Sequence, residues 1–122
     1  QNDSRATYTK ILKNDDGRIT WSRPAVDIER MIRAFNPWPS TWTLWPSGEK
    51  IYRIRIEEGE AVDEEPAQGS YGFTWQSASY PLLIKTGCGS IAVKKLTLEG
   101  KKSLHPEDFL RGLPKFINTS LI

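Results

Sequence analysis

The segment Phe35-Asn36-Pro37-Trp38-Pro39-Ser40 constrains this chain more than any other. A proline fixes its own φ, lacks a backbone N–H and drives the residue before it out of the helical region. Asn36-Pro37 therefore ends any helix that enters the corner, and two prolines two residues apart stiffen it. The helix that enters is the clearest in the sequence. Ile28, Met31, Ile32 and Phe35 lie at i, i+3, i+4 and i+7, a single apolar stripe. Ser22 is read as its N-cap, and Pro24 falls in the first turn, where a missing N–H costs little. Trp21 and Val26 are placed to staple the cap, and Asp27/Arg30 and Glu29/Arg33 have helical ion-pair spacing. Trp38, Trp42 and Trp45 then offer large flat rings. They fit either a rigid corner packed on the core or a stacking platform for bases. The proline lock favours the first, with Trp38 packed on the Ile28/Ile32/Phe35 stripe.

The rest of the chain has the pattern of a sheet. Trp42–Trp45 and Ile51–Glu57 flank a Pro46-Ser47-Gly48 turn, and Tyr52, Ile54 and Ile56 alternate with Arg53 and Arg55. Residues Glu57–Glu65 hold six acids and no base, read as the start of a long acidic loop reaching Gly69. Tyr71–Gln76 is a further strand. Pro81–Thr86 and Ser90–Glu99 flank Gly87-Cys88-Gly89, a hairpin signal. A short helix follows at Pro106–Arg111, stopped by Gly112, with His105 as its cap. The expected class is mainly β with flanking helices, a small open β-barrel or curled sheet.

At 122 residues the chain suits one domain with one core. Nothing approaches the ~18 consecutive apolar residues of a membrane helix. One cysteine cannot form an internal disulfide, and one histidine with one cysteine cannot build an ordinary structural zinc site, so no metal is expected. These counts favour a cytoplasmic compartment. The start at Gln1-Asn2-Asp3-Ser4, without methionine, is read as a linker entering from an upstream domain. Residues 1–17 form that linker and 18–122 the domain. Net charge is only +2, yet outside the acidic stretch 17 bases stand against 9 acids. That balance, with 13 aromatics, fits a nucleic-acid partner as well as an ordinary solvated surface.

No catalytic constellation emerges. His105 and Cys88 stand without partners for nucleophilic chemistry, and contiguous acids in a loop are not held as an acid–base pair. No glycine loop of the phosphate-cradling kind occurs. The best partner-binding cluster is Lys101-Lys102, with Lys94, Lys95, Arg111 and Lys115 near in sequence.

Several stretches together resemble the C-terminal domain of the methionyl-tRNA formyltransferase family. They are Ala6-Thr7-Tyr8, Gly17-Arg18-Ile19-Thr20-Trp21-Ser22, Ile32-Arg33-Ala34-Phe35-Asn36-Pro37-Trp38-Pro39, Thr86-Gly87-Cys88-Gly89, Glu99-Gly100-Lys101-Lys102 and Asp108-Phe109-Leu110-Arg111-Gly112. The resemblance implies a barrel of the oligonucleotide/oligosaccharide-binding type and a tRNA-binding role beside a Rossmann-like catalytic domain that is absent from this chain. That catalytic domain would use 10-formyltetrahydrofolate to formylate methionyl initiator tRNA, and this chain alone would be inactive. The implied tRNA contacts are Lys10, Lys13, Arg18, Lys101, Lys102 and Arg111. Lys10 and Lys13 keep the three-residue spacing of a basic pair common in the family's linker, one position early. Phe35, Asn36, Pro37, Trp38 and Pro39 are the implied structural corner. The competing readings are an accessory domain of a sugar-nucleotide formyltransferase and a purely structural domain.

Overall fold

The computed structural model describes residues 17–122. Helix α1 (Ala25–Phe35) leads into strands β1 (Thr41–Ser47), β2 (Lys50–Val62), β3 (Thr74–Trp75), β4 (Leu83–Lys85) and β5 (Ser90–Leu98). Helix α2 (Pro106–Gly112) and a 3₁₀ turn (Pro114–Phe116) follow. The strands form one antiparallel sheet in the order β1-β2-β5-β4-β3. The class is mainly β with flanking helices, as the patterning indicates.

The stripe on α1 buries Ala25, Ile28 and Ile32 and leaves Met31 and Phe35 half-buried. The start of the helix departs from expectation. Its N-cap is Pro24 rather than Ser22, and no side chain caps it. The free amide of Ala25 donates instead to the Cys88 carbonyl at 3.0 Å, and the Gly87 amide donates to the Arg23 carbonyl at 2.9 Å. The glycine hairpin thus clamps the helix terminus from across the fold. A side chain at position 87 would collide with the Ser22 carbonyl. The Trp21/Val26 staple does not form: Val26 is exposed, and the buried Trp21 donates its Nε1–H to Thr43 Oγ1 at 2.9 Å. The ion pairs on the outer face do form, at 3.8 Å for Arg30–Asp27 and 3.0 Å for Arg33–Glu29.

The acidic stretch is not a loop at its start. Strand β2 runs on through Val62, carrying Glu57, Glu58 and Glu60 against β5. Glu58 faces Lys95 in register, and Glu60 pairs with Lys94 at 3.4 Å. These cross-strand bases offset the like charges along the strand. The register slips between Ile56 and Glu58 and again between Glu58 and Gly59, and such bulges bend a strand. At Gly59 a Cβ would lie 2.9 Å from Ile91 Cγ2 and 3.6 Å from Ile32 Cδ1. Glycine is what lets the bulged strand lie this close to Ile91 of β5, while Ile32 of α1 sits at ordinary contact distance.

The two edges of the sheet, β1 and β3, do not pair with each other. The C-terminal tail, unassigned in the sequence, lies between them. Ile122 and Leu44 exchange backbone bonds at 2.9 and 3.0 Å. On the other side Thr74 donates to Thr119 at 2.8 Å, and Leu121 donates to Gly72 at 2.9 Å. Both edges are thereby protected from pairing with other chains. β3 is shorter than the Tyr71–Gln76 run suggests, because Tyr71-Gly72 is a turn with Gly72 at φ 91°.

Candidate nucleic-acid interface

The period of two in β2 sorts its residues. Ile54 and Ile56 are fully buried in the core, so Arg53 and Arg55 project from the other face. Register places Arg55 opposite Trp42 of β1 and Thr97 of β5. The Arg53 guanidinium carbon lies 3.9 Å from the centroid of the Trp42 ring and that of Arg18 lies 5.6 Å from it. Cation–π attraction holds both guanidinium groups at this face. Arg55 pairs with Glu57 at 3.5 Å. Glu57 also accepts hydrogen bonds from Thr97 Oγ1 and Ser103 Oγ, each at 2.9 Å. Among the described residues no carboxylate forms an ion pair with Arg53 or Lys101.

The proline corner stands beside these cations. Its two X–Pro bonds are both cis. Asn36 Nδ2 donates to the Ile32 carbonyl at 2.7 Å and to Thr41 Oγ1 at 3.1 Å. The Ser40 amide donates to the Phe35 carbonyl at 2.7 Å, with Ser40 in the left-handed region at φ 80°. These bonds close the loop at both ends and bury Pro39 and Ser40. Gly17 seals the back of the corner, since a Cβ there would strike the Ser40 carbonyl. Trp38 is left at the apex, 65% exposed.

That exposure corrects the expectation that Trp38 packs on the α1 stripe. The face of α1 carrying Ile28 and Ile32 is already covered by β2. The corner is structural through Asn36, Pro39 and Ser40, while its tryptophan is presented to solvent. Pro37–Ser40, Arg53, Arg55, Thr97 and the Glu99-Gly100-Lys101 turn line one groove of about 260 Å³.

Of the residues singled out in sequence, Lys101 lines this groove, and Arg18 reaches the same face through Trp42. Lys102 is exposed next to Lys101 but outside the groove lining. Arg111 lies on α2 and binds Asp108 at 2.7 Å. Lys10 and Lys13 lie outside the described residues. Arg53 and Arg55 entered the sequence reading only as the polar half of an alternation. Their signal was there: two arginines on one face of a strand, next in space to a tryptophan-rich strand. His105 occupies the N-cap position of α2 without a side-chain cap bond, its Nδ1 lying 3.2 Å from the Lys94 carbonyl oxygen. Away from the groove, Arg33 donates to both carboxylate oxygens of Glu29, and these charge-assisted bonds raise its pKa above the ordinary guanidinium value.

These features define a small mainly β domain whose distinctive surface is a cationic groove edged by an exposed tryptophan. The family described as formyl transferase, C-terminal domain, matches residues 11–114. This chain belongs to that family. It is 40% identical over 119 residues to the methionyl-tRNA formyltransferase of Treponema denticola, covering 96% of this chain and 37% of that protein. It is 40% identical over 114 residues to the methionyl-tRNA formyltransferase of Roseiflexus sp. (strain RS-1), covering 93% of this chain and 33% of that protein. The chain thus spans about a third of the length of these curated relatives.

Proposed function

We propose that this chain is the tRNA-binding C-terminal domain of a methionyl-tRNA formyltransferase acting in the cytoplasm. In this reading a separate catalytic domain of the same protein takes the formyl group from 10-formyltetrahydrofolate and transfers it to the methionine amino group on initiator tRNA. The present chain holds the tRNA and takes no part in bond making. The observation that carries the reading is the convergence of Arg53, Arg55 and Lys101 on one groove, with Arg18 on the adjoining strand surface. Cations gathered on one face, two of them without a carboxylate partner among the described residues, suit a phosphate backbone. Lys102 extends that surface.

Titration of initiator tRNA into the 122-residue chain tests this at two salt concentrations. Binding is expected with dissociation constants on the order of 10⁻⁴–10⁻⁶ M, the range of sequence-independent association. The double variant Arg53→Gln/Lys101→Gln is expected to bind more weakly, with the log–log salt slope reduced by roughly 1.4–1.8 for two lost phosphate contacts. An unchanged affinity and slope would remove the groove from the RNA interface and favour a purely structural domain.

A further inference from the structure

Trp38 is the most exposed of the large hydrophobic side chains among the described residues, and no contact among those residues accounts for its exposure. A tryptophan left on a loose loop would signify little. This one stands on a corner fixed by Asn36, by the Phe35–Ser40 backbone bond and by the buried Pro39 and Ser40. We propose that Trp38 is a stacking platform for an unpaired nucleobase, with the phosphates flanking that base held by Arg53, Arg55 and Lys101 in the same groove. This rests on the reading of the chain as an RNA-binding domain and deepens it.

Three features support an RNA occupant over other flat ligands. First, every base has a π-face and sits between two phosphates, so a fixed ring beside converging cations matches a nucleotide strand at two points. Second, the groove, at about 260 Å³, lies below the ~300–1,000 Å³ of sites that enclose drug-sized molecules. It has room for one flat group on its tryptophan wall and lies open to a continuing chain. Third, Arg53 is already stacked on Trp42 at 3.9 Å, which holds its charge in place and spends its planar face. Trp38 is then the free aromatic surface of the groove. Stacking on a single aromatic side chain requires a base outside a duplex, so the occupant is an unpaired nucleotide, as at a strand end or in a loop.

The test compares the 122-residue chain with Trp38→Leu and Trp38→Phe. The probes are a short single-stranded RNA, an abasic strand of the same length and an RNA duplex. Stacking of ordinary strength predicts that Trp38→Leu binds the single strand about 5- to 100-fold more weakly. Trp38→Phe is expected to retain most of the affinity. The salt slope should not change, because no cation is removed. On the abasic strand and the duplex both variants should match the parent. A single-strand affinity of Trp38→Leu within twofold of the parent would overturn the proposal and leave this surface to a protein partner. An equal loss on the abasic strand would overturn it as well, since the effect would not depend on a base. If the parent binds tRNA with a steep salt dependence while Trp38→Leu is unaltered, only the stacking role falls. If the parent binds none of the RNAs, the RNA-binding reading falls with it.

Discussion

Replacing Phe116 with alanine should destabilise this domain more than removing the larger ring of Trp38. Phe116 is fully buried, and its ring meets Trp45 and Phe109 edge-on, each at a centroid distance of 5.1 Å. It joins the 3₁₀ turn to α2 and to β1 in one contact set. Phe→Ala in a core costs about 3–5 kcal/mol. Two edge-to-face pairs, each worth roughly 0.5–1.5 kcal/mol beyond burial, place this site at the upper end of that range. Its carbonyl also accepts from Thr74 Oγ1 at 2.6 Å, so a shift here loosens the tail that lies between β1 and β3. At about 4–5 °C per kcal/mol for a domain near 100 residues, the thermal midpoint should fall by roughly 15–25 °C. Trp38→Ala removes a ring that is 65% exposed and should stay within about 0.5 kcal/mol, or two to three degrees. Thermal unfolding followed by circular dichroism, with urea unfolding as a second measure, separates the two. A Phe116→Ala midpoint within a few degrees of the parent would refute the packing argument. So would a Trp38→Ala midpoint as low as that of Phe116→Ala.

Gly59→Val should cost about 1–3 kcal/mol in urea unfolding, because a Cβ there would press on Ile91 Cγ2 of β5; full stability would show that the bulge between β2 and β5 tolerates a side chain. Cys88 is an exposed free thiol in the Gly87-Cys88-Gly89 turn, so one equivalent should react with a thiol reagent in the native protein, and a thiol that reacts only in denaturant would contradict its placement. With a formyl donor and methionyl-tRNA, the chain alone should form no formylated product above the uncatalysed background, and turnover by the purified chain would overturn the division of labour proposed here.

What was legible in the sequence follows its periodicities. The stripe of α1 and the alternation of β2 are enforced locally and survive in the fold. The failures share a cause, since each depended on a partner distant in sequence. Ser22 was a sound cap until Cys88 supplied an acceptor for the Ala25 amide. The acidic run carries no base of its own and reads as a loop, and only in the fold do Lys94 and Lys95 come alongside it. Trp38 looked buried because proline-locked tryptophans commonly pack inward, but the stripe it would cover had been taken by β2. The groove was half visible. Lys101 is legible as part of a basic cluster and Arg18 through the resemblance, but only the register of β1, β2 and β5 brings Arg53 and Arg55 to the same face. The tail gave no signal, as its role is to satisfy two sheet edges rather than to follow a pattern of its own.

Photo-crosslinking tests the groove most directly. Initiator tRNA carrying photoreactive uridines would be irradiated with the 122-residue chain and the linked peptides identified by mass spectrometry. Cross-links are expected at Pro37–Ser40, at Arg53–Arg55 and at Glu99–Lys101, fading as salt is raised. Cross-links confined to α2 and the 3₁₀ turn, with the groove peptides unmodified, would contradict an RNA interface built on the Trp38 corner.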